Sequence, residues 1–235
     1  MVRAISFDMA CTLFYEPACS SGWYEGTLRR AIDRAYKLLV REGYSVDCDR
    51  LYNAYKEYCI KRQTGEKEIW HLLRWYYVLS RYGLTPKPGL VYRVYKAFVE
   101  AIVDAFTIPS EHVSLLKELR EMGYIIILST DTGSHDIPLG VLRKTGTIDY
   151  FDYVISSQLV GYTKKSIEFY RTLLEVTKLE PSELIHIGDS YERDYVCPRR
   201  IGIKSILYTG FRVDGNVGRG DVLSISDLSR IADFL

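Results

Sequence analysis

The sequence predicts an α/β protein, a doubly wound, Rossmann-like parallel sheet with an all-helical module inserted after its first strand. Three observations carry this. Short, nearly continuous apolar runs stop abruptly at small polar or acidic residues, as strands buried on both faces of a parallel sheet do. In the second half of the chain these runs alternate with amphipathic helical patterns, the β-α-β-α signature of a doubly wound sheet. Residues 16–105 carry long helical patterns and no strand of comparable strength.

In chain order, the first strand is Arg3–Phe7 (RAISF), ended by Asp8. Helical patterns follow, GWYEGTLRRAIDRAYKLLVREG and DRLYNAYKEYCIKR among them, separated by turn signals such as TPKPG at residues 85–89. All three Trp (Trp23, Trp70, Trp75) and 11 of the 20 Tyr lie in residues 16–105. The three-residue spacing of Tyr52, Tyr55 and Tyr58 reads as packing inside a helical bundle rather than as a ligand cage. SEHVSLLKELREMG is a helix with Ser110 as its N-cap and Gly123 at its end. It leads into a strand, Tyr124–Leu128, ended by Ser129-Thr130-Asp131. A weaker strand is expected at Tyr153–Ser156, a helix from Ser166 to Lys178, and a strand at Leu184–Ile187 ended by Gly188-Asp189-Ser190. Lys204–Tyr208 is a last, weaker strand, and the segment from Gly210 to Gly220 a loop. The domains expected are an α/β core of residues 1–15 and 106–235 and a helical module of residues 16–105.

The bulk numbers narrow the function. Of 235 residues 47% are hydrophobic and 26% charged, ordinary for a globular protein. A net charge of +1 gives no surface for a polyanion, so nucleic acid is not expected as a partner. The five cysteines (Cys11, Cys19, Cys48, Cys59, Cys197) are odd in number and show no CxxC pair, which argues against a zinc site or a secreted disulfide framework. Reduced thiols and a cytoplasmic location are expected, with Cys48–Cys59 as a pairing only for a hyperthermophile source. The chain opens on a strand without the charged and apolar regions of a leader, and no apolar run reaches the ~18 residues of a membrane span.

Ligands of open parallel sheets bind beyond the carboxyl ends of the strands. That rim collects Asp8, Ser129 and Asp189, and Lys164 or Lys165 in VGYTKKSIEFY can add a cation. Carboxylates, a hydroxyl and an ammonium suit an anionic small molecule and a hard metal such as Mg²⁺. On register, Ser129 is preferred to Thr130. His186, in mid-strand, reads as a core residue, and His135 as an exposed loop residue.

Four motifs in this order resemble those of the haloacid dehalogenase-like (HAD) hydrolase superfamily: Asp8-Met9-Ala10-Cys11-Thr12 after an apolar strand, IIILST, VGYTKK, and Gly188-Asp189 through Asp194. The insertion resembles the family's C1-type helical cap. The resemblance implies that Asp8 is a nucleophile forming a covalent aspartyl intermediate. It implies Mg²⁺ held by Asp8, the backbone carbonyl of Ala10 and Asp189, with Asp194 behind them orienting Lys164 or a metal-bound water. Ser129, Thr130 and Lys164 would bind the phosphoryl oxygens, and Thr12 would bond near the nucleophile's loop.

Ala10 departs from the family's DxD, whose second Asp is the general acid, a group typically worth roughly 10²–10⁴ in rate. Cys11 departs too, standing where the family usually has Gly. Three kinds of protein fit such a motif. One is a Mg²⁺-dependent hydrolase of a small phosphorylated or phosphonate metabolite, the phosphonate route needing a Schiff-base lysine such as Lys37, Lys56, Lys61 or Lys67. Another is a 2-haloacid dehalogenase, although that branch lacks the metal-site carboxylate matched by Asp189. The last is a weakened member that binds without turnover.

Overall fold

The computed structural model of the protein describes residues 1–17, 19, 25–211 and 221–235. Its centre is one parallel sheet. The strands are β1 (Ala4–Phe7), β2 (Ile125–Thr130), β3 (Tyr153–Ser156), β4 (Leu184–Gly188), β5 (Lys204–Tyr208) and β6 (Ser224–Ile225). Their spatial order, β3-β2-β1-β4-β5-β6, is that of a doubly wound sheet. The first five match the strands expected from sequence to within two residues at either end. The two-residue β6 had no pattern long enough to read, and residues 212–220 of the expected Gly210–Gly220 loop lie outside the described residues, as does Trp23. In the ladders Phe7 stands opposite both Leu128 and Ile187. The residues just beyond, Asp8, Ser129 and Gly188, therefore reach one rim together.

Between β1 and β2 run four long helices, α1 (Glu25–Arg41), α2 (Cys48–Thr64), α3 (His71–Arg81) and α4 (Pro88–Ala105). Asp47 caps α2 by accepting the Arg50 amide, and Pro88 opens α4, where its missing N–H costs nothing. The aromatic residues pack among themselves: Tyr55 lies 5.1 Å from Trp75 and 4.8 Å from Phe98 between ring centroids. One apolar core runs without a break from Ile5 and Phe7 through Leu28 to Trp75 and Phe98, so the inserted helices rest on the sheet's own hydrophobic layer. Helix α5 (Ser110–Glu121) starts one residue earlier than its sequence suggests. Pro109 takes the N-cap place and Ser110 is already helical, its hydroxyl turned to Glu111. In α6 (Asp136–Thr145), Lys144 donates to the carbonyls of Val103, Asp104 and Phe106 and so closes the end of α4.

The two chain crossings between sheet and insert are tied to each other. Tyr15 and Thr107 exchange main-chain hydrogen bonds of 2.9 Å in both directions. Nearby, Cys11 and Cys19 form a disulfide, which corrects the expectation that every cysteine is reduced. The chain doubles back at Phe14, whose amide donates to Met9 O, and this turn brings the two cysteines to a Cα separation of 5.3 Å. Cys48 and Cys59 are unpaired. Among the described residues no helix is long and apolar enough to cross a membrane.

Candidate active site

Asp8 ends β1 at the sheet rim, its amide donating to Ile187 O at 2.8 Å. The chain then turns sharply. Cys11 has φ +59°, the left-handed region in which a side chain costs roughly 1–2 kcal/mol and glycine is favoured. That accounts for the oddity of a Cys here: the turn needs this conformation, and the bond to Cys19 holds it. The ladder of the turn uses the carbonyls of Met9 and Phe14, not that of Ala10. Ala10 lines the cavity beside Asp8.

Lys164 follows a left-handed Gly161 and a buried Thr163. Its side chain is 1% exposed and donates to Asp8 Oδ1 and Asp194 Oδ1, each at 2.6 Å. Asp194 comes from one π-helical turn, Tyr191–Val196, after β4. Its Oδ2 accepts the Ser190 amide at 3.0 Å and its Oδ1 faces His186 Nε2, also at 3.0 Å. Gly188 makes this possible, because a Cβ there would overlap the Asp194 carboxyl carbon. The hydroxyl of Tyr170 donates to Arg193 O, so it and Asp194 both need the His186 Nε2 hydrogen, and Nδ1 is left to accept from Ser6 at 3.2 Å. His186 is thus a buried residue, as expected, but one that steadies Asp194.

Charge is arranged around Lys164. Burial would lower its ammonium, but Asp194 and Asp8 outweigh burial and hold it charged. Burial would raise Asp194, yet Lys164 and His186 keep it well below the usual carboxylate range. Asp8 is left as the strained partner, pushed up to about 6 by burial and by Asp194 against the pull of Lys164. Carboxylate oxygens of Asp8, Asp189 and Asp194 all lie within 4.8 Å of one another, and all three residues are buried. Three buried carboxylates thus converge at one point of the rim, two of them bonded to Lys164, and with that deficit of positive charge from Lys164 alone they offer a set of hard oxygen donors. An oxygen donor set with that deficit fits a hard divalent cation such as Mg²⁺.

The rim opens on a cavity of 580 Å³, within the usual range for small-ligand sites. Its floor includes Asp8, Ala10, Thr130, Lys164 and Asp189. Ser129 and Thr12 stand off it. Ser129 is fully buried with its Oγ 2.7 Å from Ser6 Oγ, because the pleat turns it to the same face as Ser6 and His186. Thr12 is fully buried under the turn, and its hydroxyl has no hydrogen-bond partner among the described residues. Lys165 lines the cavity as well, and His135 is half-buried outside it, against Ser156. None of Lys37, Lys56, Lys61 and Lys67 is on the cavity wall.

The wall facing the rim comes from the insert and was not read from the sequence: Cys59, Arg62, His71 and Arg74. Arg62 grips Glu68 through two bonds of 2.6 Å and reaches across to Asp131, which also faces Arg193 at 3.3 Å. Glu68 accepts from Ser157. The main chain joins the same seam, with Glu68 N donating to Gly161 O at 2.9 Å and His71 N to Gly133 O at 2.8 Å. At Gly133 a Cβ would sit 2.6 Å from Ile69 O, so glycine lets the insert approach this closely. The signal available in sequence was Asp131, an acid next to a strand end, and the Arg62/Glu68 pair flanking Gly65.

A family model described as haloacid dehalogenase-like hydrolase matches residues 2–202. The chain is 26% identical over 212 residues to a ribulose-1,5-bisphosphate 5-phosphatase from Halopiger xanaduensis, covering 88% of this chain and 85% of that one. Its fold is similar to a 2-haloacid dehalogenase from Pseudomonas syringae pv. Tomato, with a TM-score of 0.75 at 17% identity over 99% and 97% of the two chains. It is also similar to a HAD phosphatase from Thermococcus onnurineus, with a TM-score of 0.66 at 19% identity over 99% and 97%. The chain therefore belongs to the haloacid dehalogenase-like hydrolases.

Proposed function

We propose that the protein hydrolyses a phosphate monoester of a small anionic metabolite through Asp8, with Mg²⁺ as cofactor. The observation that carries this is the buried Asp8–Lys164–Asp194 array beside Asp189 at the floor of the cavity. Asp8, Asp189 and the Ala10 carbonyl are the ligands we assign to Mg²⁺, with Asp194 behind them. The metal's part is to offset charge between the nucleophile and the phosphoryl oxygens. Asp8 attacks phosphorus to form the aspartyl-phosphate. Lys164 holds Asp8 in line and neutralises charge on the transferred group, and Asp194, fixed by Ser190 and His186, orients Lys164. Thr130, on the cavity wall, is better placed than Ser129 or Thr12 to take a phosphoryl oxygen.

Residues 16–105 act as the cap that closes the site and selects substrate. The phosphatase relative points to a phosphorylated sugar, and Arg62 and Arg74 on the cap wall suit an anionic one. A phosphate ester is favoured over a phosphonate, because none of the four candidate lysines lines the cavity. The three buried carboxylates likewise favour phosphoryl transfer over metal-free dehalogenation. The partner is a small molecule handled in the cytoplasm.

The test is release of phosphate from a panel of sugar phosphates and bisphosphates, with halide release from 2-haloacids alongside. Wild-type protein should release phosphate only with Mg²⁺, and Asp8→Asn should lower kcat by about 10³-fold or more. Undiminished activity in Asp8→Asn, or metal-free halide release, would overturn the reading.

A further inference from the structure

Hydrolysis through Asp8 needs a group that gives a proton to the departing alkoxide and later takes one from water. Such a shuttle is worth roughly 10²–10⁴ in rate, and Ala10 has nothing to offer. The cavity wall holds few alternatives. Lys164 is clasped between Asp8 and Asp194. Asp131 is kept ionised by Arg62 and Arg193 against the effect of its burial. Arginines do not give up their protons. His71 is bonded through Nδ1 to Tyr55, within the insert. Glu192 is exposed.

Glu16 is different. It is 2% exposed and lines the same cavity as Asp8 and Ala10. It stands at the crossing into the insert, next to the paired Tyr15. Thr27 Oγ1 donates to its Oε2 at 2.8 Å, and Arg30 donates to Thr27 Oγ1 at 2.9 Å, so the carboxyl is held in one orientation. Its main chain is held as well. Cys19 N donates to Glu16 O at 2.9 Å, and the Cys11–Cys19 disulfide ties this segment to the nucleophile's own turn.

We propose that Glu16 is the general acid and base of the reaction, taking the role for which Ala10 has no group. This rests on Asp8 being the nucleophile. In the first step Asp8 bonds to phosphorus, the phosphorus–oxygen ester bond breaks, and the departing oxygen takes the proton of the Glu16 carboxylic acid. In the second step water loses a proton to the Glu16 carboxylate and attacks phosphorus. The bond to Asp8 breaks, phosphate leaves, and Glu16 is again protonated. Burial raises the Glu16 carboxyl above its ordinary value, with Thr27 and Arg30 pulling it back, which suits a group used in both forms.

The experiment compares leaving groups in Glu16→Gln, which keeps the acceptor for Thr27. With the best sugar phosphate of the panel, turnover should fall by about 10²-fold or more. With p-nitrophenyl phosphate, whose phenolate leaves without help, a burst of p-nitrophenol equal to the active sites should survive within a few-fold of the wild-type rate, followed by slow turnover. The double variant Glu16→Gln/Ala10→Asp should regain at least about tenfold on the sugar phosphate, which also shows that the fold is intact. An equal loss on both substrates, or no loss on either, sinks the role of Glu16 and leaves Asp8 standing. Activity retained in Asp8→Asn sinks the nucleophile, and the role of Glu16 with it.

Discussion

The core rim and the inserted helices build opposite walls of one cavity by different means. At the rim, Asp8, Lys164, Asp189 and Asp194 stand at strand ends and short turns, and Lys164 bonds Asp8 and Asp194 at 2.6 Å. On the insert, Arg62 and Glu68 are positioned by an ion pair from Arg62 to Asp131 and a hydrogen bond that Glu68 accepts from Ser157, both on the core. One wall carries its chemistry within itself. The other is completed only by touching its partner, so substitutions in the two should fail in different ways.

Lys164→Met breaks the comparison hardest. It leaves Asp8 and Asp194 buried without their cation, and kcat should fall by about 10³-fold, with a stability loss of about 3–5 kcal/mol seen in urea unfolding. A change in KM alone would put Lys164 outside the chemistry. Arg62→Met tests the other wall. It removes the nearest cation from Glu68 and Asp131, which keep only the longer pairs with Arg74 and Arg193, so stability should fall by less than the about 3–5 kcal/mol of a fully broken buried pair, and KM should rise more than kcat falls. A pure kcat defect would move Arg62 to the chemical side of the cavity.

The smallest effect is a pH response with one histidine in each region. Burial holds His71 and His186 below their ordinary value, His186 at about 4. As pH falls below about 6.5 the unfolded chain takes up protons first, so stability drops by about 1.4 kcal/mol per pH unit for each. Asp8 works the other way. Raised to about 6, it binds a proton in the fold before its unfolded form does, which adds stability on acidification. In metal-free protein Asp8→Asn should therefore steepen the loss between pH 6 and 4. An unchanged slope would show that the Asp8 carboxyl is not raised.

The rim was legible in the sequence because parallel strands bring their carboxyl ends together, and Asp8 and Asp189 stand at or just beyond such ends. The choice between Ser129 and Thr130 was not. A strand buried on both faces shows no alternation, so its pleat parity is hidden until Ser129 is seen on the same face as Ser6 and His186. The insert could be read as helices but not as a wall. Arg62 meets Asp131 across 69 positions and Glu68 meets Ser157 across 89, distances over which local periodicity carries no information. The Cys11–Cys19 pair was hidden in the same way, because the turn that joins it depends on the left-handed Cys11 itself.

The paired crossings at Tyr15 and Thr107 set what kind of movement the insert can make. Two separate linkers would let it swivel and slide. Laced together and braced by the disulfide, they behave as the pin of a door. Any opening becomes a swing about one line, and each closing returns Arg62 to Asp131 and His71 to Gly133 in the same register. Parting Arg62 from Asp131 and His71 from Gly133 would then open the cavity along that seam, while the turn that carries Asp8 stays still.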